Sequence, residues 1–133
     1  MATVRKAITI GRSADEVWDA VGDAGALHTR VAPHVVTRCT LAAAGEERIV
    51  TFVNGVVLRE LIISNDPAAR RLAWSAQSDQ WQHHNASIVV TPLGERSCEV
   101  VWTADVLPHS AGALMQQYLT MGLESMKSHM DSA

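Results

Sequence analysis

The sequence predicts an α+β fold: a curved, seven-stranded antiparallel sheet around one long C-terminal helix, with two short helices between the first and second strands. Three observations lead there. A helix-start signature at Ser13 follows a β-prone opening run. An Asn54-Gly55 pair sits between apolar runs, within a succession of strand-like segments. The final segment, from about Ser110 to Met130, is long enough for roughly six helical turns and is apolar over about half its circumference, wider than the stripe of an ordinary surface helix.

Each element has its own local reason. Thr3 to Ile10 is a β-prone run that reads as a first strand, and Gly11 ends it. Ser13-Ala14-Asp15-Glu16 is a capping box: the Ser13 hydroxyl can accept from the Glu16 amide, and Glu16 can reach back to the Ser13 amide. Val17, Trp18 and Val21 give the short helix its apolar face; Gly22 and Gly25 break it, and Asp23 is placed to cap a second short turn through His28. Strands are expected over His34–Ala42, Glu47–Val53, Val56–Ser64, Arg71–Ala76, His84–Thr91 and Ser97–Leu107. The second and third are joined through Ala43-Ala44-Gly45-Glu46. Asn54-Gly55 predicts a type I′ hairpin, whose two central residues both need positive φ. On the last helix Gln116, Gln117, Thr120, Glu124, Lys127 and Ser128 face one way, against Leu114, Met115, Tyr118, Leu119, Met121, Gly122, Met126 and His129.

Composition narrows the function. The chain has 133 residues, which fits one domain over residues 1–133. A formal charge of -3 with mixed signs argues against a nucleic-acid partner, and no basic block addresses an anionic membrane. No apolar run approaches the roughly 18 residues that span a bilayer, and the first residues lack a signal-peptide pattern. Cys39 and Cys98 have neither metal-ligand nor disulfide-scaffold spacing and read as buried thiols in a reducing cytoplasm.

The order of elements is that of the helix-grip fold, and the chain resembles the START/polyketide-cyclase-like (SRPBCC) superfamily, especially its small bacterial polyketide cyclase/dehydratase group. Four segments carry the likeness: Ile10-Gly11-Arg12-Ser13-Ala14-Asp15-Glu16-Val17-Trp18; Asn54-Gly55 followed by Arg59-Glu60-Leu61; Val90-Thr91-Pro92-Leu93-Gly94; and Val101 to Pro108. The resemblance implies a cavity between sheet and helix that holds a lipid, hormone or polyketide-like molecule. One departure stands out: many relatives carry a tryptophan near the end of the second short helix, where this chain has Leu27-His28-Thr29-Arg30.

Alternation along the strands selects the inner faces. Cys98, Val100, Trp102, Ala104 and Val106 share one side of the seventh strand, His84, Ala86, Ile88 and Val90 one side of the sixth, and Leu72, Trp74 and Ala76 one side of the fifth. The fourth strand is ambiguous, because either side places a charge, Glu60 or Arg59, among apolar neighbours. The family likeness favours Glu60 inside, with Leu58 and Ile62, unless a bulge reverses the parity. The expected ligand-binding set is therefore Leu58, Glu60, Ile62, Trp74, Trp81, His84, Ala86, Ile88, Val100, Trp102, Met115, Tyr118 and Gly122. Apolar walls with a few polar groups suit a small-molecule site, although the same residues could also fill a solid core.

Glu60 and His84 are the candidate catalytic residues. A carboxyl group in an apolar pocket has its pKa raised, and a neighbouring imidazole could share its proton for enolisation, ring closure or dehydration. The plainer alternative pairs Glu60 with Arg59, Arg48 or a lysine and leaves His84 at the rim. His83 and His84 point to opposite faces of a strand, and the remaining histidines lack ligand spacing, so neither a metal nor another cofactor is expected. There is no G-x-S-x-G elbow and no phosphate-cradling glycine loop. Trp81 and His28 are expected to overhang the open end of the grip, where Trp81 could serve as a lid, a dimer contact or chance packing. Three functions remain: a carrier or sensor of a small apolar ligand, a polyketide cyclase, aromatase or dehydratase, or an interaction module docking through Leu61 and Ile63 on the outer sheet face. The protein is expected to be a monomer or homodimer.

Overall fold

In the computed structural model, which describes residues 1–131, strand β1 (Ala2–Ile10) leads into helix α1 (Ala14–Val21). A 3₁₀ turn (Ala24–Ala26) and a π turn (Leu27–Val31) follow. Strands β2 (Val36–Ala42), β3 (Glu47–Phe52), β4 (Val57–Asp66), β5 (Arg71–Gln77), β6 (His83–Gly94) and β7 (Ser97–Leu107) come next, and a 3₁₀ turn (His109–Ala111) opens helix α2 (Gly112–Asp131). All neighbouring strands are antiparallel, in the order β1-β7-β6-β5-β4-β3-β2, so the chain returns after β7 to lay α2 over β1 and the concave side of the sheet. The expected fold class holds, with some boundaries moved: the second short helix is one 3₁₀ turn running into one π turn, and β2 begins at Val36 rather than His34.

The helix start at Ser13 has half of its expected form. Ser13 Oγ accepts from the Glu16 amide at 3.1 Å, but Glu16 meets the Ser13 hydroxyl at 3.1 Å rather than its amide. Its other oxygen takes Arg12, and these two hydrogen bonds hold the Glu16 carboxyl below its ordinary pKa. Asp23 does not cap the next turn; it and Asp19 both receive Arg30, which ties α1 to the π turn.

The hairpin at Asn54-Gly55 is real, but its turn is not type I′. Only Gly55 has positive φ, at 87°. The Gly55 amide donates to the Phe52 carbonyl at 2.9 Å and Phe52 donates to Val56 at 2.8 Å, the pattern of a three-residue loop closed by a glycine bulge. Asn54 instead uses its side chain, which accepts from the Val56 amide at 3.1 Å. Loop length sets register. A two-residue turn would put Glu60 opposite Ile49, whereas the three-residue turn pairs Glu60 with Arg48 and Leu58 with Val50.

On β4 a register break falls between Ile62 and Ser64, downstream of Glu60, so Leu58 and Glu60 keep the inner parity and Ile63 is turned outward. Strand β6 continues through Pro92 to Gly94, past the end of β5, where a residue without an N–H interrupts no ladder on that side. On α2 the buried stripe is Met115, Leu119, Leu123, Met126 and Met130, with Ser125 beside it. Met121, expected on the apolar side, is 47% exposed. Tyr118 and Gly122 form the half-buried shoulder of the helix that faces the sheet's opening. Cys39 and Cys98 are buried free thiols, and burial raises the pKa of both.

Because Asn54 has ordinary negative φ and Gly55 does not, Gly55→Ala is expected to cost about 1 kcal/mol or more in urea denaturation. Asn54→Ala should lose only its exposed hydrogen bond to Val56, a few tenths of that; equal penalties at the two positions would instead indicate a type I′ turn.

Candidate functional site

Between the concave sheet and α2 lies a pocket of about 80 Å³. Its floor comes from the centres of β3 to β7: Arg48, Leu58, Glu60, Trp74, Ala76, Ile88 and Trp102. Met115, Tyr118, Gly122 and Met126 of α2 form the roof, and Leu27, Val31, Ala32, Val35 and Val36 close the side nearest β2. Phe52, Trp81 and Tyr118 gather at one end: the Tyr118 ring stands 6.3 Å from Phe52 and 6.3 Å, edge-on, from Trp81. The Tyr118 hydroxyl donates to Gln80 at 3.1 Å, a hydrogen bond between α2 and the β5–β6 connection.

Of the residues expected at a ligand site, ten border this pocket: Leu58, Glu60, Trp74, Trp81, His84, Ile88, Trp102, Met115, Tyr118 and Gly122. Three do not. Ala86 and Val100 are sealed in the packed core, and Ile62, just before the β4 bulge, only packs against that core's edge. Trp81 is no exposed flap: it is 7% exposed, donates to the Ala76 carbonyl at 2.9 Å and stacks 5.5 Å from His84. His28 also misses the opening; it is half-buried with a buried, unpartnered Nδ1, while its neighbour Leu27 reaches the pocket.

Glu60 points inward and Arg59 outward, where Arg59 pairs with Glu47. Directly across the hairpin, Arg48 is 3% exposed and Glu60 6% exposed. Arg48 Nε donates to Glu60 Oε1 at 2.8 Å, Nη1 donates to the Ala24 carbonyl at 3.2 Å, and the guanidinium lies 5.5 Å from the Trp74 ring centre. One arginine thus joins β3, β4, β5 and the 3₁₀ turn before β2. Of Arg59, Arg48 and the lysines, the hairpin register selects Arg48 as the partner of Glu60. With Oε1 committed to a cation, Glu60 is one half of a buried ion pair and not an isolated carboxyl in an apolar pocket.

His84 sits where β5 and β6 fork. Regular pairing between them stops at Trp74–Ala86, and side chains replace the ladder beyond it. Ser75 Oγ donates to the His84 carbonyl at 2.6 Å, the Ala76 amide donates to His84 Nδ1 at 2.9 Å, and Trp81 Nε1 donates to the Ala76 carbonyl. A ring nitrogen that accepts a backbone N–H carries no proton, so the imidazole is the neutral Nε2–H tautomer. Burial, aided by the neighbouring His83, lowers its pKa from 6.5 to about 4. Glu60 and His84 therefore border one pocket with separate partners, Arg48 for the first and Ala76 for the second. Among the described residues no group of three or more His, Cys, Asp or Glu side chains is placed to hold a metal ion, and no helix is long and apolar enough to cross a membrane.

A curved antiparallel sheet gripping a long helix over an apolar pocket defines a helix-grip protein. The family model described as "Polyketide cyclase / dehydrase and lipid transport" matches residues 1–131, and the chain belongs to that family. Solved structures agree on the fold. A solution structure from Thermobifida fusca is 31% identical, covers 96% of this chain and 91% of its own, and superposes with a TM-score of 0.79. A START superfamily protein from Mycobacterium smegmatis is 18% identical, with coverage of 98% and 97% and a TM-score of 0.77. The di-domain ARO/CYC protein BexL of the BE-7585A biosynthetic pathway is 15% identical over 97% of this chain and 46% of its own, with a TM-score of 0.80. No curated protein matches the sequence.

Two outcomes follow from the buried polar groups. Glu60→Ala strands the Arg48 charge and should cost about 3–5 kcal/mol in urea denaturation, whereas the double replacement Arg48→Met with Glu60→Leu should recover most of that loss. His84 takes a proton less readily folded than unfolded, so stability is complete above pH 6.5 and falls as the pH drops from there toward about 4. The fall should be on the order of 3 kcal/mol, and a smaller fall is expected for His84→Asn, whose Oδ1 can still accept from Ala76 without titrating.

Proposed function

We propose that this protein binds a small, largely apolar molecule in the pocket between the sheet and α2. The observation that carries the reading is the make-up of the wall: aliphatic and aromatic side chains from the sheet, α2 and the segment before β2, with the buried charges Arg48 and Glu60 neutralising each other. Membership in a family described by polyketide cyclisation, dehydration and lipid transport points the same way. The proposed ligand contacts are Leu58, Trp74, Trp81, His84, Ile88, Trp102, Met115, Tyr118 and Gly122, joined by Phe52 and Met126.

At about 80 Å³ the pocket is smaller than the roughly 150 Å³ cavity that admits benzene, so a ring-sized ligand must displace part of the wall. Phe52 and Tyr118 suit that role. Both are half-buried, and Tyr118 is held toward the β5–β6 connection by its hydroxyl on Gln80. Swinging these two rings outward enlarges the pocket without disturbing the Arg48–Glu60 pair or the fork at His84. The carrier or sensor reading is favoured over a cyclase built on a Glu60–His84 acid/base pair, because Arg48 holds Oε1 of Glu60 and the Ala76 amide holds the unprotonated nitrogen of His84. A soluble cytoplasmic carrier also suits two buried, unpaired thiols.

Native mass spectrometry of the protein purified without detergent is expected to show a fraction carrying a small apolar adduct that denaturation releases. Phe52→Ala should raise the affinity for 1-naphthol, read as quenching of tryptophan emission. Absence of any adduct, with no quenching of either protein at millimolar 1-naphthol, would sink the proposal.

A further inference from the structure

We propose that His84 is a fixed hydrogen-bond donor, presenting Nε2–H to an uncharged acceptor oxygen, such as a ketone, on an otherwise apolar ligand. This rests on the ligand-binding reading and specifies which ligands the pocket selects. Three observations support it. First, the fork between β5 and β6 consumes Nδ1: the Ala76 amide donates to it at 2.9 Å, which leaves the proton on Nε2. Second, the ring cannot turn to exchange its nitrogens without losing that bond, because Trp81 stacks 5.5 Å away and is itself anchored on the Ala76 carbonyl. Third, His84 is 4% exposed and borders the pocket.

The other polar groups favour the same ligand chemistry. Trp102 Nε1 is a buried donor with no acceptor, on a ring that also borders the pocket. A Cβ at Gly122 would lie 2.5 Å from Trp102 Cζ3, so the helix covers the benzo edge of the indole, and Nε1 lies on the opposite edge. An unpaired buried donor carries a desolvation penalty that an acceptor on a ligand would remove. Trp81 and Tyr118 already donate to Ala76 and Gln80. The acid of the pocket has its counter-ion in Arg48, so the site offers donors without net charge. Such a site discriminates against a ligand that lacks the acceptor, and against an anion that would need a cation of its own.

Three probes of nearly equal shape separate the possibilities: acetophenone, α-methylstyrene, which replaces the ketone oxygen by a methylene, and benzoate. Titrations followed by the indole ¹H–¹⁵N signals are expected to rank acetophenone about two- to tenfold tighter than α-methylstyrene, with benzoate weakest. In His84→Asn, which keeps an acceptor for Ala76 but lacks the ring donor, the preference for the ketone should shrink toward unity. Independently of any ligand, long-range ¹H–¹⁵N spectra at pH 7 should show His84 as the neutral Nε2–H tautomer. An Nδ1–H tautomer, an imidazolium, or equal affinity for acetophenone and α-methylstyrene overturns the donor role alone. If none of the three probes binds, the ligand-binding reading falls and this inference falls with it.

Discussion

A buried arginine facing a buried glutamate across the β3–β4 hairpin is the constraint around which the pocket is arranged. Neither charge could stay out of water without the other, because an unpaired ion in that interior costs several kcal/mol. Once paired, they reach further than their own strands. Arg48 also holds the Ala24 carbonyl, drawing the segment between α1 and β2 onto the sheet, and its planar cation lies near the Trp74 ring. The pocket's floor, one side wall and part of its aromatic lining thus depend on one guanidinium.

That pair depends in turn on a single turn residue. Gly55, by taking positive φ, closes a three-residue loop and sets the register in which positions 48 and 60 coincide. Had Asn54 also entered the left-handed region, β4 would have slipped by one residue and paired Glu60 with Ile49. Local backbone freedom at the turn therefore decides a buried electrostatic interaction further along the hairpin. A similar economy governs His84. Where β5 and β6 part, the sheet loses its ladder, and the backbone groups of Ala76 are satisfied by an imidazole and an indole instead. This arrangement makes His84 a structural acceptor on one nitrogen and a donor on the other, and it removes the free basic nitrogen that acid/base chemistry would use.

Family membership and the shared fold locate the protein among helix-grip proteins that include an aromatase/cyclase and a START superfamily member. They do not choose between carrier and enzyme, since one architecture serves both. The choice proposed above rests on side chains: Arg48 holds Oε1 of Glu60, and the Ala76 amide holds Nδ1 of His84.

Much of the fold is legible in the sequence. Strand parity in β5 to β7 and the length of α2 follow from patterns of period 2 and 3.6, and the serine cap at α1 from a four-residue box, all of which depend only on neighbours in sequence. The inward faces carrying Trp74, His84 and Trp102 follow from the same alternation. What the sequence could not settle were features that arise where distant segments meet. The partner of Glu60 depended on hairpin register, the protonation of His84 on a fork between two strands, and the burial of Trp81 on a loop folding back over Ala76. Met121 faces solvent because the sheet covers only the stripe of α2 that runs through Leu119 and Leu123. Sequence by itself determined the seven strands, the gripping helix and most of the apolar wall, because burial enforces periodicity. Only the tertiary structure decided which polar atoms within that wall remain unengaged, because a hydrogen bond is defined by where its partner comes to lie.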